Sequence, residues 1–128
     1  MDIGFFEAFI ILYVSLFAHE VGHWLVKKPV LFVVGRGPSI SFMFRNVECR
    51  FCLFPLGGMC EYEEDRLGRL TYAGGPLANL ALFLSFFLIS VLTGSFFLFT
   101  VSIVNAILFL VVALPVRGSD GRKILLGD

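Results

Sequence analysis

The chain has 128 residues, of which 58% are hydrophobic and 16 are Phe, and its ten basic and ten acidic side chains cancel. That length allows one domain, 1–128, and the zero formal charge removes any case for bulk electrostatic binding to nucleic acid. A mean hydropathy of +0.90 excludes an ordinary water-soluble globular composition.

The first apolar run extends from Ile3 to Val26, interrupted only by Glu7 and by His19-Glu20-Val21-Gly22-His23. It is close to the ~20 residues that a helix needs to cross a hydrocarbon core. It is too long for a signal-peptide core, has no basic leader and shows no clear cleavage site, so it is expected to stay as a span. On a helix, His19 and His23 share one face and can grip one zinc ion. Glu20 between them is placed to take a proton from water at that ion. Ionisable groups at bilayer depth are costly and usually functional. The chain holds no other histidine, and the alternative reading of the pair is two satisfied histidines in a core.

Residues 29–62 change character. Val30–Val34, Ile40–Phe44 and Val47–Phe54 are short runs rich in β-branched and aromatic residues, separated by turn residues. They are too short to span as helices and too apolar for a free loop. Non-helical backbone at membrane depth is tolerated where it is protein-buried or lines a wet cavity, so a small membrane-associated β hairpin or sheet is expected. An exposed strand edge there could hold a substrate extended by β-augmentation; the alternative is an interfacial hairpin with no substrate role. Cys49 and Cys52 form a CxxC, but a strand puts them on opposite faces. No second CxxC or nearby His completes a metal site with them or with Cys60.

Two further spans follow, at about 72–92 and 96–114, joined as an antiparallel hairpin by Thr93-Gly94-Ser95. Gly74-Gly75-Pro76 is expected to loosen the start of the second span and make room near the histidines. Asn79 needs a partner at that depth. It is a candidate substrate-binding residue, for the substrate backbone or a developing oxyanion, or else it joins helices. Asn105 in the third span reads as a link between helices. The fold class is thus a mainly α membrane protein with three transmembrane helices and a β element between the first and second.

All ten Lys and Arg residues lie between the first and second spans or after the third. The positive-inside rule therefore places the N-terminus outside and the loop, the C-terminus and the histidine end of the first span in the cytoplasm. The expected setting is the plasma membrane of a prokaryote. The first and third spans run in the same direction, so Leu114-Pro115 and Gly118-Ser119-Asp120-Gly121 come to the histidine side. Pro115 should stop the helix and the turn can fold Asp120 back as a third metal ligand; its plain reading is a turn residue or cap. Glu61, Glu63, Glu64 and Asp65 read instead as a solvated acidic face, and Glu7 lies near the opposite surface.

Taken in order, four elements resemble the site-2 protease family of intramembrane zinc metalloproteases: His19-Glu20-Val21-Gly22-His23, Phe54-Pro55-Leu56-Gly57-Gly58, Gly74-Gly75-Pro76-Leu77-Ala78-Asn79, and Leu114-Pro115 with Asp120-Gly121. The resemblance implies one catalytic Zn2+ held by His19, His23 and Asp120, with Glu20 as general base. It also implies hydrolysis of peptide bonds in or near transmembrane segments of membrane-embedded protein substrates. Val112 stands where the family often has Asn, and no PDZ or CBS domain accompanies the three-helix core, so selection by an appended domain is not expected. The competing reading is a catalytically silent zinc-binding scaffold that binds transmembrane helices; the intact Glu20, which zinc binding alone does not require, argues against it. The lipid bilayer is the obligatory partner, and nothing in the sequence supports or opposes a homo-oligomer.

Overall fold

The computed structural model describes residues 4–63, 69–114 and 120–126. Its elements run α1 (Phe5–Val26), β1 (Leu31–Phe44), β2 (Val47–Glu61), α2 (Arg69–Thr93), α3 (Phe96–Ala113) and α4 (Asp120–Leu126). The first three long helices match the expected spans to within three residues at each end, and each is long and apolar enough to cross a membrane. The β element sits between the first two of them, as expected. Ile3, Glu64, Asp65, Pro115 and the Gly118-Ser119 part of the expected turn lie outside the described residues. Asp120, expected in a turn, instead opens the short α4.

Local chemistry sets the helix ends. The Glu7 carboxylate accepts from the Gly4 N–H and closes the start of α1. Between α2 and α3, Gly94 takes φ +70, a region that favours glycine. Ser95 Oγ then accepts from the Leu98 N–H as the N-cap of α3. Helix α2 runs unbroken through Pro76, so the expected loosening at Gly74-Gly75-Pro76 is not a break in the helix.

The helices are packed inside out relative to a soluble bundle. Their buried positions are mainly polar: Ser15, His19, Glu20, His23, Thr71, Asn79, Ser90, Ser102 and Asn105, with Ile11 the buried aliphatic of α1. Phe, Leu, Ile and Val side chains face outward along all three. Such a surface suits hydrocarbon and not water. On α1 the buried residues Ile11, Ser15, His19 and His23 recur every four positions, which makes one continuous stripe against α2 and α3.

The apolar core belongs to the sheet. Phe32, Val34, Val47 and Cys49 are its buried centre, with Tyr13, Leu16, Val21 and Trp24 of α1 packed against it. Phe17 and Trp24 stack edge-on against Phe32. β1 and β2 form an antiparallel hairpin about Arg45 and Asn46, both at positive φ (51 and 65), the backbone of a two-residue type I′ turn. Gly35 and Gly37, also at positive φ, bend β1. Leu31–Val34 consequently pairs on two edges, with Glu48–Phe51 on one and Gly58–Glu61 on the other. That double pairing draws the end of β2 back to α1.

Helices α1 and α2 meet glycine to glycine. A Cβ on Gly22 would lie 2.2 Å from the Gly74 carbonyl oxygen, and one on Gly74 would lie 2.4 Å from that of Gly22. In a membrane, where lipid is as apolar as the helix surface, such close backbone approach is a main source of association. Gly22→Ala is expected to force the helices apart at a cost of about 1–3 kcal/mol. Thermal unfolding in detergent checks this: the midpoint should fall by several degrees, and an unchanged midpoint would contradict the contact.

Candidate active site

His19 and His23 project from the last third of α1 toward α2, and α4 brings Asp120 to the same point. His19 Nε2 lies 3.1 Å from Asp120 Oδ2, His23 Nε2 lies 3.2 Å from it, and the two Nε2 atoms are 3.3 Å apart. All three residues are buried or partly buried. The sequence-based ligand set is thus brought together from positions a hundred residues apart.

The outer nitrogen of each imidazole is also held. His19 Nδ1–H donates to Asn79 Oδ1 at 2.7 Å, and His23 Nδ1–H donates to the backbone carbonyl of Thr71 at 2.8 Å. With the Nδ1 positions protonated, both Nε2 lone pairs point at the Asp120 oxygen. Burial opposes ionisation of Asp120, but imidazoles protonated at Nε2 as well would face it with N–H donors and positive charge, which outweigh burial and hold the carboxyl well below the usual carboxylate range. Three acceptor atoms at this separation require positive charge between them, from protons or from a cation.

The donor set fits zinc. Ligand atoms ~2.0–2.1 Å from a tetrahedral zinc stand about 3.3–3.4 Å from one another, close to the observed triangle. Space for the imidazole tips is kept by Gly75. A Cβ there would fall 2.4 Å from His23 Nε2 and 2.6 Å from His19 Nε2. The room expected near Gly74-Gly75-Pro76 is therefore made by a missing side chain within an intact helix.

Glu20 is buried beside the triangle, with Oε1 4.0 Å from His19 Nε2, too far to share the role of the three converging atoms. The returning end of β2 closes over it. A Cβ on Gly58 would approach Glu20 Cγ to 3.0 Å. The Cys60 thiol donates to Glu20 Oε2 at 3.3 Å. Burial, then the Glu20 charge, push the Cys60 thiol well above its ordinary range, so it stays protonated and able to donate.

Asn79, read either as a substrate-binding residue or as a link between helices, is fully buried behind His19. Its oxygen is engaged by His19, and its Nδ2 donates to Asn105 Oδ1 at 2.9 Å and to the Ser15 carbonyl at 3.4 Å. Asn105, read as an inter-helix link, does bond both other helices, through Ser15 and Asn79. Sequence reasoning missed Thr71, Ser15 and Cys60. Thr71 acts through its backbone and leaves no side-chain signal. Cys60 meets Glu20 only through the sheet's return. Ser15 was open to detection, since it lies four residues before His19 on the same face.

A family model described as Peptidase family M50 matches residues 7–95. No curated protein matches the chain. The matched stretch includes both histidines, Glu20 and Asn79, and ends before Asn105 and Asp120. If Gly75 keeps the metal position open, Gly75→Ala should weaken zinc binding by about two orders of magnitude or more while circular dichroism stays helical. Zinc affinity equal to that of the wild type would contradict this role.

Proposed function

The chain belongs to peptidase family M50, the zinc-dependent site-2 protease family, and from that premise we propose that it is an intramembrane zinc metalloprotease. The observation that carries the proposal is the convergence of His19 Nε2, His23 Nε2 and Asp120 Oδ2, with Glu20 alongside, inside three helices able to span a bilayer. His19, His23 and Asp120 would hold the ion. When bound there, zinc supplies Lewis-acid polarisation of a peptide carbonyl and acidifies water for attack.

The remaining work falls to the chain. Glu20 is the general base: its carboxylate accepts the proton of the attacking water and passes it to the departing amide nitrogen. The Cys60 thiol steadies one oxygen of that carboxylate. Asn79 and the Thr71 carbonyl fix the two imidazoles, a support that metal-ligating histidines usually need.

Membrane-embedded protein segments are the substrate class that family membership supports. A helical segment hides its carbonyls in its own hydrogen bonds, so it must be drawn out before cleavage. Gly58–Glu61 of β2 has β1 on one edge, and among the described residues the register assigns no strand to the other. A substrate strand added on that edge would run past Glu20, which Gly58 and Cys60 touch. The distribution of Lys and Arg supports an orientation with this end of α1 toward the cytoplasm.

The test compares the zinc-loaded wild type with Glu20→Gln and Asp120→Ala on single-span substrates in detergent or liposomes. Glu20→Gln should keep stoichiometric zinc and lose cleavage by roughly 10²–10⁴-fold, and Asp120→Ala should lose zinc. Zinc binding without cleavage by the wild type would favour a silent scaffold instead.

A further inference from the structure

Behind His19 a chain of buried amides crosses all three long helices. Asn79 and Asn105 are both 0% exposed, and Ser15 is 2% exposed. An amide is useful here only in one orientation. Asn79 must turn its oxygen to His19, because its nitrogen would instead demand a lone pair from Nδ1 and send the imidazole proton to Nε2, into the ligand triangle.

The structure contains what settles that choice. Asn105 Nδ2 donates to the backbone carbonyl of Val101, one turn back in α3, at 2.9 Å, and to Ser15 Oγ at 3.1 Å. A carbonyl can only accept, so the nitrogen of Asn105 is committed to that side and its oxygen is turned to α2. That oxygen accepts from Asn79 Nδ2 at 2.9 Å. The Ser15 carbonyl, again an acceptor only, lies 3.4 Å from the same nitrogen. With its nitrogen claimed twice, Asn79 presents its oxygen to His19 Nδ1 at 2.7 Å. His23 reaches the same state in one step through the Thr71 carbonyl. Among buried side-chain polar atoms of the described residues, none lacks a partner, so no spare group is left to tolerate a flipped amide.

We propose that Asn105 is a positioning residue for the metal centre: anchored on the Val101 carbonyl, it fixes the Asn79 amide, which keeps the His19 proton on Nδ1 and its Nε2 lone pair on the metal side. The inference rests on the metalloprotease reading for its purpose, but its geometry concerns the amide chain alone. It gives Asn105 a role beyond joining helices, because the same link decides which atom of the Asn79 amide faces His19.

The experiment uses the full chain in detergent, with zinc affinity read by chelator competition and the His19 tautomer read by ¹⁵N NMR. The tautomer is measured on zinc-free protein at alkaline pH. Asn105→Leu removes the orienting oxygen at similar volume. It should weaken zinc binding roughly 10–100-fold and add an Nε2–H population to His19. Asn79→Asp presents an acceptor to His19 whichever way it turns, so in that background Asn105→Leu should cost no further zinc affinity. Equal losses in the two backgrounds would overturn the proposal, since they would mean that Asn105 acts by packing. If Asn105→Leu fails to fold, the wild type still decides: Nδ1–H on His19 is the predicted tautomer, and Nε2–H overturns the relay. A wild type with the predicted tautomer and no affinity for zinc would remove the metalloprotease reading and leave the relay standing.

Discussion

Two imidazole nitrogens and a carboxylate oxygen, held 3.1–3.3 Å apart within the protein, repel one another unless positive charge lies between them. Much of the remaining structure can be understood as what holds that unfavourable triangle in place. The Gly22–Gly74 contact brings α1 and α2 to backbone distance at the level of the histidines. Gly75 leaves the imidazole tips unobstructed, and a Cβ on Gly121 would lie 2.0 Å from the Ala113 carbonyl oxygen, so α4 can lie flush against the end of α3 and present Asp120. A bulkier residue at any of these places would compete for the same small volume.

The surroundings divide the labour by solvent. Toward lipid, the helices offer Phe, Leu, Ile and Val. Inward they offer hydroxyls, amides and the histidines, each satisfied within the protein because hydrocarbon can satisfy none of them. The buried amide chain is a product of this constraint, and the constraint gives it direction: a backbone carbonyl at one end fixes which way each amide between it and His19 must face. The sheet solves a separate problem. It brings ordinary apolar packing to the outer face of α1 through Phe32, Val34 and Val47 and returns β2 to Glu20, so that carboxylate is met by the Cys60 thiol of the strand as well as carried by its own helix.

How much of this was legible in the sequence follows from the range of the forces involved. The three spans were readable because hydrocarbon thickness imposes a length that composition alone reveals. The β element was readable from short β-branched and aromatic runs between turn residues. His19, Glu20 and His23 declared themselves through helical spacing. Asp120 could be placed because parallel spans bring their ends to one side, although the short helix it opens could not. The surroundings were less accessible. Nothing local distinguishes an Asn79 that faces substrate from one that faces His19, since the difference lies in which helix packs behind it. Gly74-Gly75-Pro76 signals room near the histidines, but sequence does not tell a loosened helix from an intact one in which Gly75 simply lacks a side chain. Thr71 contributes a carbonyl, which every residue has, and Cys60 reaches Glu20 only after the sheet doubles back.

The central claim is that this triangle is a zinc site made of two imidazoles and one carboxylate. X-ray absorption at the zinc edge of the loaded protein tests it directly. The account predicts a first shell of nitrogen and oxygen at about 2.0–2.2 Å, with the scattering pattern of two imidazoles. A sulfur scatterer near ~2.3 Å would place Cys60 or another thiol on the metal and contradict the assignment.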